Sequence, residues 1–218
     1  MICFVYEHCP FSMRPLLIIG LKKMPIEIRV LPFSDRDTPV QMVGKKVCPI
    51  LQKEDGSFMI ESLDIATYLD HNAGEPIITN RTIDTQLEAL ISRILKDYIS
   101  LTSPRFLALN MKEFQTNEDR QLYQSREEAY IGATFQSLVT EEVVVIQRVQ
   151  AILPQFEPFI EVLDKPHLII TATQLCLFAY MRNLSCVPGL ILPDNIQDFV
   201  NRLCEASGIG LLEKVKSE

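Results

Sequence analysis

Short apolar runs separated by turn residues make up the first third of the chain. Their lengths and spacing predict a strand at 2–6, a helix at 11–21, a strand at 26–31, strands at 47–51 and 58–60, and a helix that begins at Ser62. The segment 54–57, which contains Gly56, has the length and composition of a turn in an antiparallel hairpin. The first third therefore predicts a mixed α/β unit.

Beyond residue 76 the pattern becomes helical. Apolar residues keep the helical spacing over four turns at Ile83, Leu87, Leu90, Ile91, Ile94, Leu95, Tyr98 and Ile99. Further helices are predicted at 118–138, 140–163, 171–184 and 195–206, and no strand signal of comparable clarity returns. Thr171 followed by Gln174 predicts a capping box at the start of one of these helices.

The order of the elements divides the chain into two domains. A strand, a helix and a strand, then a connecting segment, two strands and a helix form the arrangement of thioredoxin-like domains. We therefore predict an α/β thioredoxin-like domain at 1–75, a linker at 76–82 and an all-α C-terminal domain at 83–218.

Composition narrows the classes of function. The chain has 28 acidic and 21 basic residues and no basic cluster longer than a pair, so we expect no nucleic-acid partner. Its longest apolar runs fall short of the roughly 18 residues that a membrane span requires, and its N-terminus lacks the features of a targeting segment. We expect a cytoplasmic monomer that does not bind membranes.

Six cysteines are spread along the chain without a Cys-x-x-Cys pair or regular zinc-ligand spacing. A chain of this size does not need disulfides for stability, so we expect reduced thiols and no metal site. Most of these cysteines are interpreted as small buried hydrophobic residues. Only Cys9 and Cys48 lie where chemistry is plausible.

Cys9 follows a predicted strand and immediately precedes a predicted helix. Its sulfur would face the free amides and partial positive charge of a helix N-terminus, which favour the thiolate. In such sites the pKa of a thiol falls to about 3.5–7.5 from about 8.5, so Cys9 is the candidate nucleophile. Pro10 has no amide hydrogen and leaves later amides free to point at the sulfur. For His8, a solvated loop position explains the residue better than an electrostatic role.

Cys48 and Pro49 precede a predicted strand in the same domain. Proline is badly placed there unless it ends a loop or has a cis peptide bond. A cis Pro49 would expose the backbone of Cys48, whose amide and carbonyl could pair with the peptide part of a ligand. An ordinary trans proline at the start of a strand is the alternative.

Glu61 and Ser62 stand where the last helix of this domain begins. Ser62 offers a hydroxyl and helix N-terminal amides to a ligand carboxylate, and Glu61 can bind an ammonium group. Together they form a candidate clamp for the zwitterionic end of an amino acid. A simple helix N-cap is the alternative interpretation of Ser62.

With these motifs in place, the sequence resembles the two-domain bacterial glutaredoxins of the glutaredoxin 2 type, which share the architecture of glutathione transferases. The resemblance covers nearly the whole chain. It is carried by residues 6–11, 38–39 with 42–44, 47–53, 61–65, 101–106 and 181–184.

The resemblance implies a glutathione-dependent thiol–disulfide oxidoreductase that acts on glutathionylated proteins or small-molecule disulfides, with glutathione as co-substrate and no metal. It implies that Cys9 attacks glutathione mixed disulfides and that Pro49 is cis. The glutathione site implied by the family consists of Pro10, Phe11, Ser12, Cys48, Pro49, Glu61 and Ser62. Within this site, Glu61 and Ser62 would hold the γ-glutamyl end, and Cys48 would pair through its backbone with the glutathione cysteine.

Ser12 departs from the dithiol members of this family, which carry a second cysteine at its position. A natural serine and an engineered replacement of cysteine both fit the sequence. Because a hydroxyl cannot form a disulfide, we predict a monothiol cycle in which Cys9 takes the glutathionyl group and a second glutathione releases it. Cys48 is a candidate substitute for the resolving thiol, provided that its Cα lies within roughly 7 Å of the Cα of Cys9.

Other classes share the fold and the motif at 9–12. Dehydroascorbate reductases and cysteine-type glutathione transferases use glutathione in different reactions, and chloride intracellular channel proteins are non-enzymatic relatives that insert into membranes. The short apolar runs argue against this last class. In the helical domain, Phe106, Phe114, Tyr130 and Phe135 are candidates for lining an interdomain cleft, although aromatic residues at helical spacing more often belong to the core.

Overall fold

The computed structural model describes residues 1–160 and 169–215. A four-stranded sheet forms the centre of the N-terminal domain, with strands β1 (Ile2–Val5), β2 (Glu27–Val30), β3 (Ile50–Gln52) and β4 (Phe58–Met59) in the order β2-β1-β3-β4. β1 is parallel to β2 and antiparallel to β3, and β3 is antiparallel to β4. The predicted hairpin is confirmed. β3 begins later than predicted because Pro49 has no amide to donate to the ladder.

Three helices complete this domain: α1 (Pro10–Leu21), α2 (Asp37–Val43) and α3 (Ser62–Asn72). α1 and α3 pack against each other, and the predicted apolar face of α3 is buried at Ile65, Ala66 and Leu69. α2 occupies the segment for which the sequence predicted no element. It ends at Gly44, whose φ of 77° is a left-handed conformation that glycine adopts without a steric penalty.

The C-terminal domain is built from α4 (Thr85–Ala108), α5 (Asn117–Ile131), α6 (Phe135–Ile152), α7 (Ala172–Leu184) and α8 (Asp194–Ser207). α4 packs against α5, α6 and α7. Every residue of α7 except Thr173 is buried, so this helix forms the centre of the bundle. Short 3-10 helices occur at Lys112–Phe114 and Leu153–Phe159.

The break between α5 and α6 was predicted in the wrong place, near residue 139. Gly132 ends α5 in a left-handed conformation with φ 78°, and Thr134 caps α6 by accepting a hydrogen bond from the amide of Ser137 at 3.2 Å. Capping chemistry therefore determined this boundary. The helix predicted at 140–163 also ends earlier than predicted, since α6 ends at Ile152 and a 3-10 helix at Leu153–Phe159 follows; residues 161–163 lie outside the described residues.

A short parallel sheet lies where no strand was predicted, and one of its strands falls within the region predicted to be all-α. β5 (Ile78–Asn80), which lies in the segment predicted as a linker, pairs with β6 (Ile170–Thr171). The capping box after β6 is confirmed, because Thr171 Oγ1 accepts from the Gln174 amide at 3.2 Å and Gln174 Oε1 accepts from the Thr171 amide at 3.0 Å. Two- and three-residue strands are too short to leave an alternating pattern in the sequence.

Helix α1 joins the two domains. It packs against α7 and α8 of the helical domain as well as against α3. The contact with α8 is so close that a Cβ atom at Gly20 would lie 2.4 Å from the carbonyl oxygen of Ser207. Because Cys9 directly precedes this helix, the same packing that joins the domains positions the candidate nucleophile.

Candidate active site

Cys9 lies at the predicted junction between β1 and α1. It is the N-cap residue of α1, with φ −75° and ψ 120°, and Pro10 is the first helical residue. The Cys9 side chain is half-buried and makes no capping hydrogen bond, and the backbone amides of Phe11 and Ser12 act to lower the pKa of its thiol. The predicted placement of a cysteine against free helix amides is confirmed.

The predicted lowering of the Cys9 pKa is wrong for the ligand-free protein. Burial raises the pKa of the thiol above its ordinary value. The amides of Ser12 and Phe11, the Ser12 hydroxyl and the charge of Arg14 all act in the opposite direction, but they do not outweigh the burial. The groups that favour the thiolate are therefore present, but burial of the thiol outweighs them.

Ser12 is completely buried, below Cys9 on the first turn of α1. Its hydroxyl accepts a hydrogen bond from the amide of Tyr6 at 3.2 Å and also interacts with the thiols of Cys9 and Cys48. Ser12 thus connects the two cysteines inside the protein. Its predicted contact with glutathione stays a prediction.

Cys48 faces the same site from the loop before β3. The peptide bond between Cys48 and Pro49 is cis, as the family resemblance implied, and the trans alternative is wrong. The Cys48 thiol donates a hydrogen bond to the carbonyl oxygen of Phe4 at 3.2 Å. Burial, and secondarily the neighbouring Cys9, raise the pKa of Cys48 above its ordinary value. The role of Cys48 as a resolving thiol stays a prediction.

Glu61 and Ser62 occupy the start of α3. Glu61 is exposed and has a left-handed φ of 69°, a strained conformation for a residue with a side chain. It, and not Ser62, is the N-cap residue, although its side chain makes no capping hydrogen bond. Ser62 is the buried first residue of the helix. Their binding of the γ-glutamyl end stays a prediction.

Arg14 is a site residue that the sequence interpretation missed. It is buried, and it donates from Nη1 to Ser62 Oγ at 3.1 Å and from Nη2 to Cys176 Sγ at 3.3 Å. Its guanidinium also lies 4.7 Å from the centre of the Phe11 ring, and its buried Nε has no hydrogen-bond partner among the described residues. An arginine within an otherwise apolar helix was the available signal.

A cavity of ≈ 720 Å³ opens between the two domains beside Cys9. Its wall is mainly aromatic and aliphatic, and Lys46 and Arg126 add positive charge. Of the four aromatic residues proposed for an interdomain cleft, Phe106 and Tyr130 line it, whereas Phe114 and Phe135 do not. The cavity can hold a group attached to the sulfur that Cys9 attacks.

His8 is buried in this cavity wall, so its interpretation as a solvated loop residue was wrong. Its Nδ1 lies 2.7 Å from Glu113 Oε1, and its backbone amide donates to the same oxygen at 2.9 Å. Asn183 Nδ2 donates to the His8 carbonyl oxygen at 2.7 Å. The helical domain therefore holds both polar backbone groups of the residue before Cys9. No local pattern marks Glu113, which lies 105 residues away.

Within residues 1–160 and 169–215, no group of three or more His, Cys, Asp or Glu side chains could hold a metal ion. In the same ranges no single helix is long and apolar enough to cross a membrane. One bent pair, 117–131 with 135–159, passes that test by length and composition.

Comparisons with known sequences cover both domains. The family model described as "Glutaredoxin 2, C terminal domain" matches residues 86–216, and the one described as "Glutathione S-transferase, N-terminal domain" matches residues 4–77. Glutaredoxin 2 of Escherichia coli strain K12 is 31% identical over 215 residues, which are 97% of this chain and 98% of the relative. Glutaredoxin 2 of Escherichia coli O157:H7 has the same identity and coverage.

Solved structures agree with these matches. The structure of glutaredoxin 2 from Salmonella typhimurium in complex with glutathione superimposes with a TM-score of 0.87 at 29% identity, over 97% of this chain and 96% of that one. A glutathione transferase from Phanerochaete chrysosporium gives a TM-score of 0.69 at 13% identity, over 94% and 97% of the two chains, and so shows the fold alone. The predicted fold class, a thioredoxin-like domain followed by a helical domain, is confirmed.

Proposed function

The chain belongs to the glutaredoxin 2 family and is a glutathione-dependent thiol–disulfide oxidoreductase, and on this premise we propose that Cys9 is its single catalytic thiol. One observation carries the proposal: the position three residues after Cys9 holds a buried hydroxyl, that of Ser12. A hydroxyl cannot form a disulfide with Cys9. Release of the catalytic thiol then requires a second glutathione.

The contacts of Cys48 support the same conclusion. A resolving cysteine must attack as a thiolate. The Cys48 thiol instead keeps its proton, because it donates a hydrogen bond to Phe4 and because burial raises its pKa. Cys48 therefore contributes its backbone to the site, beside cis Pro49, and leaves thiol chemistry to Cys9.

Glutathione is the ligand we propose for this site, since the Salmonella relative was solved in complex with it. Glu61 and Ser62 would hold the γ-glutamyl end at the start of α3, where helix amides face an anionic group. Arg14 adds a positive charge beside Ser62. Pro10, Phe11, Cys48 and Pro49 would contact the rest of the tripeptide, and the exposed Phe11 ring is available for such a contact.

The cycle has two exchanges. Cys9 thiolate attacks the glutathione sulfur of a mixed disulfide, the substrate sulfur leaves as a thiolate, and a Cys9–glutathione disulfide forms. The thiolate of a second glutathione attacks the glutathione sulfur of that disulfide, which releases glutathione disulfide and regenerates the Cys9 thiolate. Each step breaks one S–S bond and forms another. The cavity of ≈ 720 Å³ would receive the non-glutathione part of the substrate.

Mass spectrometry of the intact protein tests the proposal. After exposure to a glutathionylated peptide, the wild-type protein should carry a single glutathionyl adduct, and Cys9→Ser should carry none. An adduct that persists in Cys9→Ser would refute the role of Cys9. Disulfide mapping after mild oxidation separates the two mechanisms, because a bridge between Cys9 and Cys48 would show that Cys48 acts as a resolving thiol.

Activity assays test the reaction class. We expect faster turnover with a glutathionylated substrate than with dehydroascorbate or with an electrophilic acceptor for conjugation. Faster conjugation would identify a cysteine-type transferase, and faster reduction of dehydroascorbate would identify a dehydroascorbate reductase.

We further propose that the protein works as a monomer in the cytoplasm. All six cysteines are free and four of them are buried, which suits a reducing compartment. Light scattering coupled to gel filtration tests the monomer, and cell fractionation tests the location.

A further inference from the structure

The buried pair of His8 and Glu113 has no part in the two exchanges described above. Glu113 is completely buried, and its Oε1 lies 2.7 Å from His8 Nδ1. Among the described residues, His8 is the one cationic group that pairs with this carboxylate. Because a buried carboxylate is costly without a partner, the pair holds the imidazole in place through Nδ1.

Aromatic rings surround the imidazole on several sides. Their centres lie 5.0 to 6.0 Å from the centre of the His8 ring, and they belong to Tyr6, Phe33, Phe106, Phe114 and Tyr123. Such rings exclude water, and their faces attract a cation. The His8 ring is therefore fixed in orientation.

The two ring nitrogens of His8 have different environments. Nδ1 is occupied by Glu113, whereas Nε2 makes no hydrogen bond within the described part of the chain. The ring lines the same cavity as the next residue, Cys9. A carboxylate on one imidazole nitrogen, with the other nitrogen left for the reacting groups, is the arrangement that supports acid–base catalysis in catalytic triads.

We propose that His8 is the acid–base catalyst of thiol–disulfide exchange at Cys9, with Glu113 as the residue that positions it. The proposal rests on the Cys9 cycle described under the proposed function, and adds the path of the proton. It assigns His8 Nε2 the task of protonating the leaving thiolate and of deprotonating the incoming thiol.

The proton balance closes over one turnover. In the first exchange His8 accepts the Cys9 thiol proton, Cys9 attacks, and the imidazolium gives that proton to the departing substrate thiolate. In the second exchange His8 accepts the proton of the incoming glutathione thiol, and the imidazolium returns a proton to the departing Cys9 sulfur. His8 ends each exchange neutral, and the sum is a mixed disulfide plus glutathione giving a substrate thiol and glutathione disulfide.

Burial raises the pKa of Cys9, so a nearby base is needed to remove the thiol proton before Cys9 attacks. Other titratable groups also face the cavity or the His8 ring. Tyr6 and Cys9 lie near β1, and Lys46 and Cys48 lie before β3. The helical domain contributes Tyr98 on α4, Glu113 in the 3-10 helix before α5, and Tyr180 on α7. The groups on α5 are Tyr123, Arg126, Glu127 and Tyr130.

Leaving-group dependence in single turnovers tests the proposal. Two mixed disulfides of glutathione are compared as substrates. In the first, the leaving group is an alkyl thiolate, which needs a proton on departure. In the second, the leaving group is nitrothiobenzoate, which does not. His8→Asn retains an amide donor toward Glu113 but cannot exchange a proton. We expect it to slow the alkyl reaction by about 100-fold and to change the aromatic reaction little. Equal slowing of both reactions would overturn the proposal.

Two further measurements cover the case in which His8→Asn does not fold. Glu113→Gln keeps the shape of the side chain and removes its charge, so it should also slow the alkyl reaction more than the aromatic one. In the wild-type protein, the rate should depend only weakly on the acidity of the leaving thiol across a series of mixed disulfides. A steep dependence there would contradict acid catalysis.

The same data distinguish failure of this inference from failure of the proposed function. If Cys9 forms no glutathionyl adduct with either disulfide, the Cys9 cycle itself is wrong. If the adduct forms but the His8 and Glu113 variants slow the alkyl and aromatic reactions equally, the Cys9 cycle is supported and the acid–base role of His8 is refuted.

Discussion

Cys9 and Cys48 lie in the same cavity and are both half-buried, yet their surroundings differ. Cys9 is the N-cap residue of α1, and the backbone amides of Phe11 and Ser12 act to lower the pKa of its thiol. Cys48 precedes a strand, and its thiol donates a hydrogen bond to a backbone carbonyl. Backbone donors stabilise a thiolate, whereas a backbone acceptor stabilises a thiol.

This contrast indicates that local backbone geometry, more than exposure, distinguishes the candidate nucleophile Cys9 from Cys48. Burial raises the pKa of both thiols. At Cys9 several groups oppose that effect, including the charge of Arg14, whereas at Cys48 the neighbouring Cys9 adds to it. The electrostatic surroundings of the two thiols therefore differ before any ligand binds.

Replacing Ser12 should change the difference in reactivity between Cys9 and Cys48 most. Ser12→Cys places a thiol where the hydroxyl interacts with both Cys9 and Cys48. We expect a disulfide between residues 9 and 12 on mild oxidation, and a gain of activity toward protein disulfides that need a resolving cysteine. Peptide mapping and a disulfide-reduction assay measure these effects. Ser12→Ala is the control, and a variant that oxidises at residue 48 instead would contradict the prediction.

The pH dependence of alkylation should separate the two thiols next. Because burial raises the pKa of Cys9, its thiolate is a minor species at neutral pH in the ligand-free protein. Its rate with iodoacetamide should rise by about tenfold per pH unit up to that pKa. Cys48 should react more slowly throughout. A Cys9 rate that is already constant from about pH 6 to about pH 8 would show that the pKa is low.

Arg14 should have a smaller effect, on glutathione binding. Arg14→Met removes the charge beside Ser62, so we expect KM for glutathione to rise by about tenfold, which corresponds to about 1.4 kcal/mol. Initial rates at varied glutathione measure this, and Arg14→Lys should lie between. Arg93→Met, on the exposed face of α4, is the matched control. An unchanged KM in a folded Arg14→Met protein would exclude Arg14 from the site.

Cys48→Ser should have the smallest effect. A serine hydroxyl can donate to Phe4 as the thiol does, and the backbone beside Pro49 is unchanged. We therefore expect turnover within about twofold of the wild type. A loss as large as that of Cys9→Ser would show that the Cys48 sulfur takes part in the reaction.

Much of the N-terminal domain could be predicted because its signals are local. The cysteine at a strand–helix junction, the proline before β3 and the hairpin at Gly56 are each visible within a few neighbouring residues. The same is true of the capping box at Thr171. In these cases backbone chemistry and short-range hydrogen bonds decide the outcome.

Other features could not be predicted because the residues they contact lie far away in the sequence. His8 looked like a loop residue until the helical domain placed Glu113 and Asn183 against it. The pairing of β5 with β6 is equally long-range, and neither strand is long enough to show a pattern of its own. The expected low pKa of Cys9 neglected the burial of its thiol, which no segment near Cys9 reveals.

The sequence by itself identified the candidate nucleophile, the absence of a cysteine at position 12 and the order of the two domains, since these depend on residue identity and local pattern. Only the tertiary structure decided how the nucleophile is surrounded. It brought Glu113 to His8 across 105 residues and Cys176 to Arg14 across 162. The physical reason is that burial and charge pairing arise where α1 and the loop before it pack against the helical domain, and such contacts leave no periodic trace in the chain.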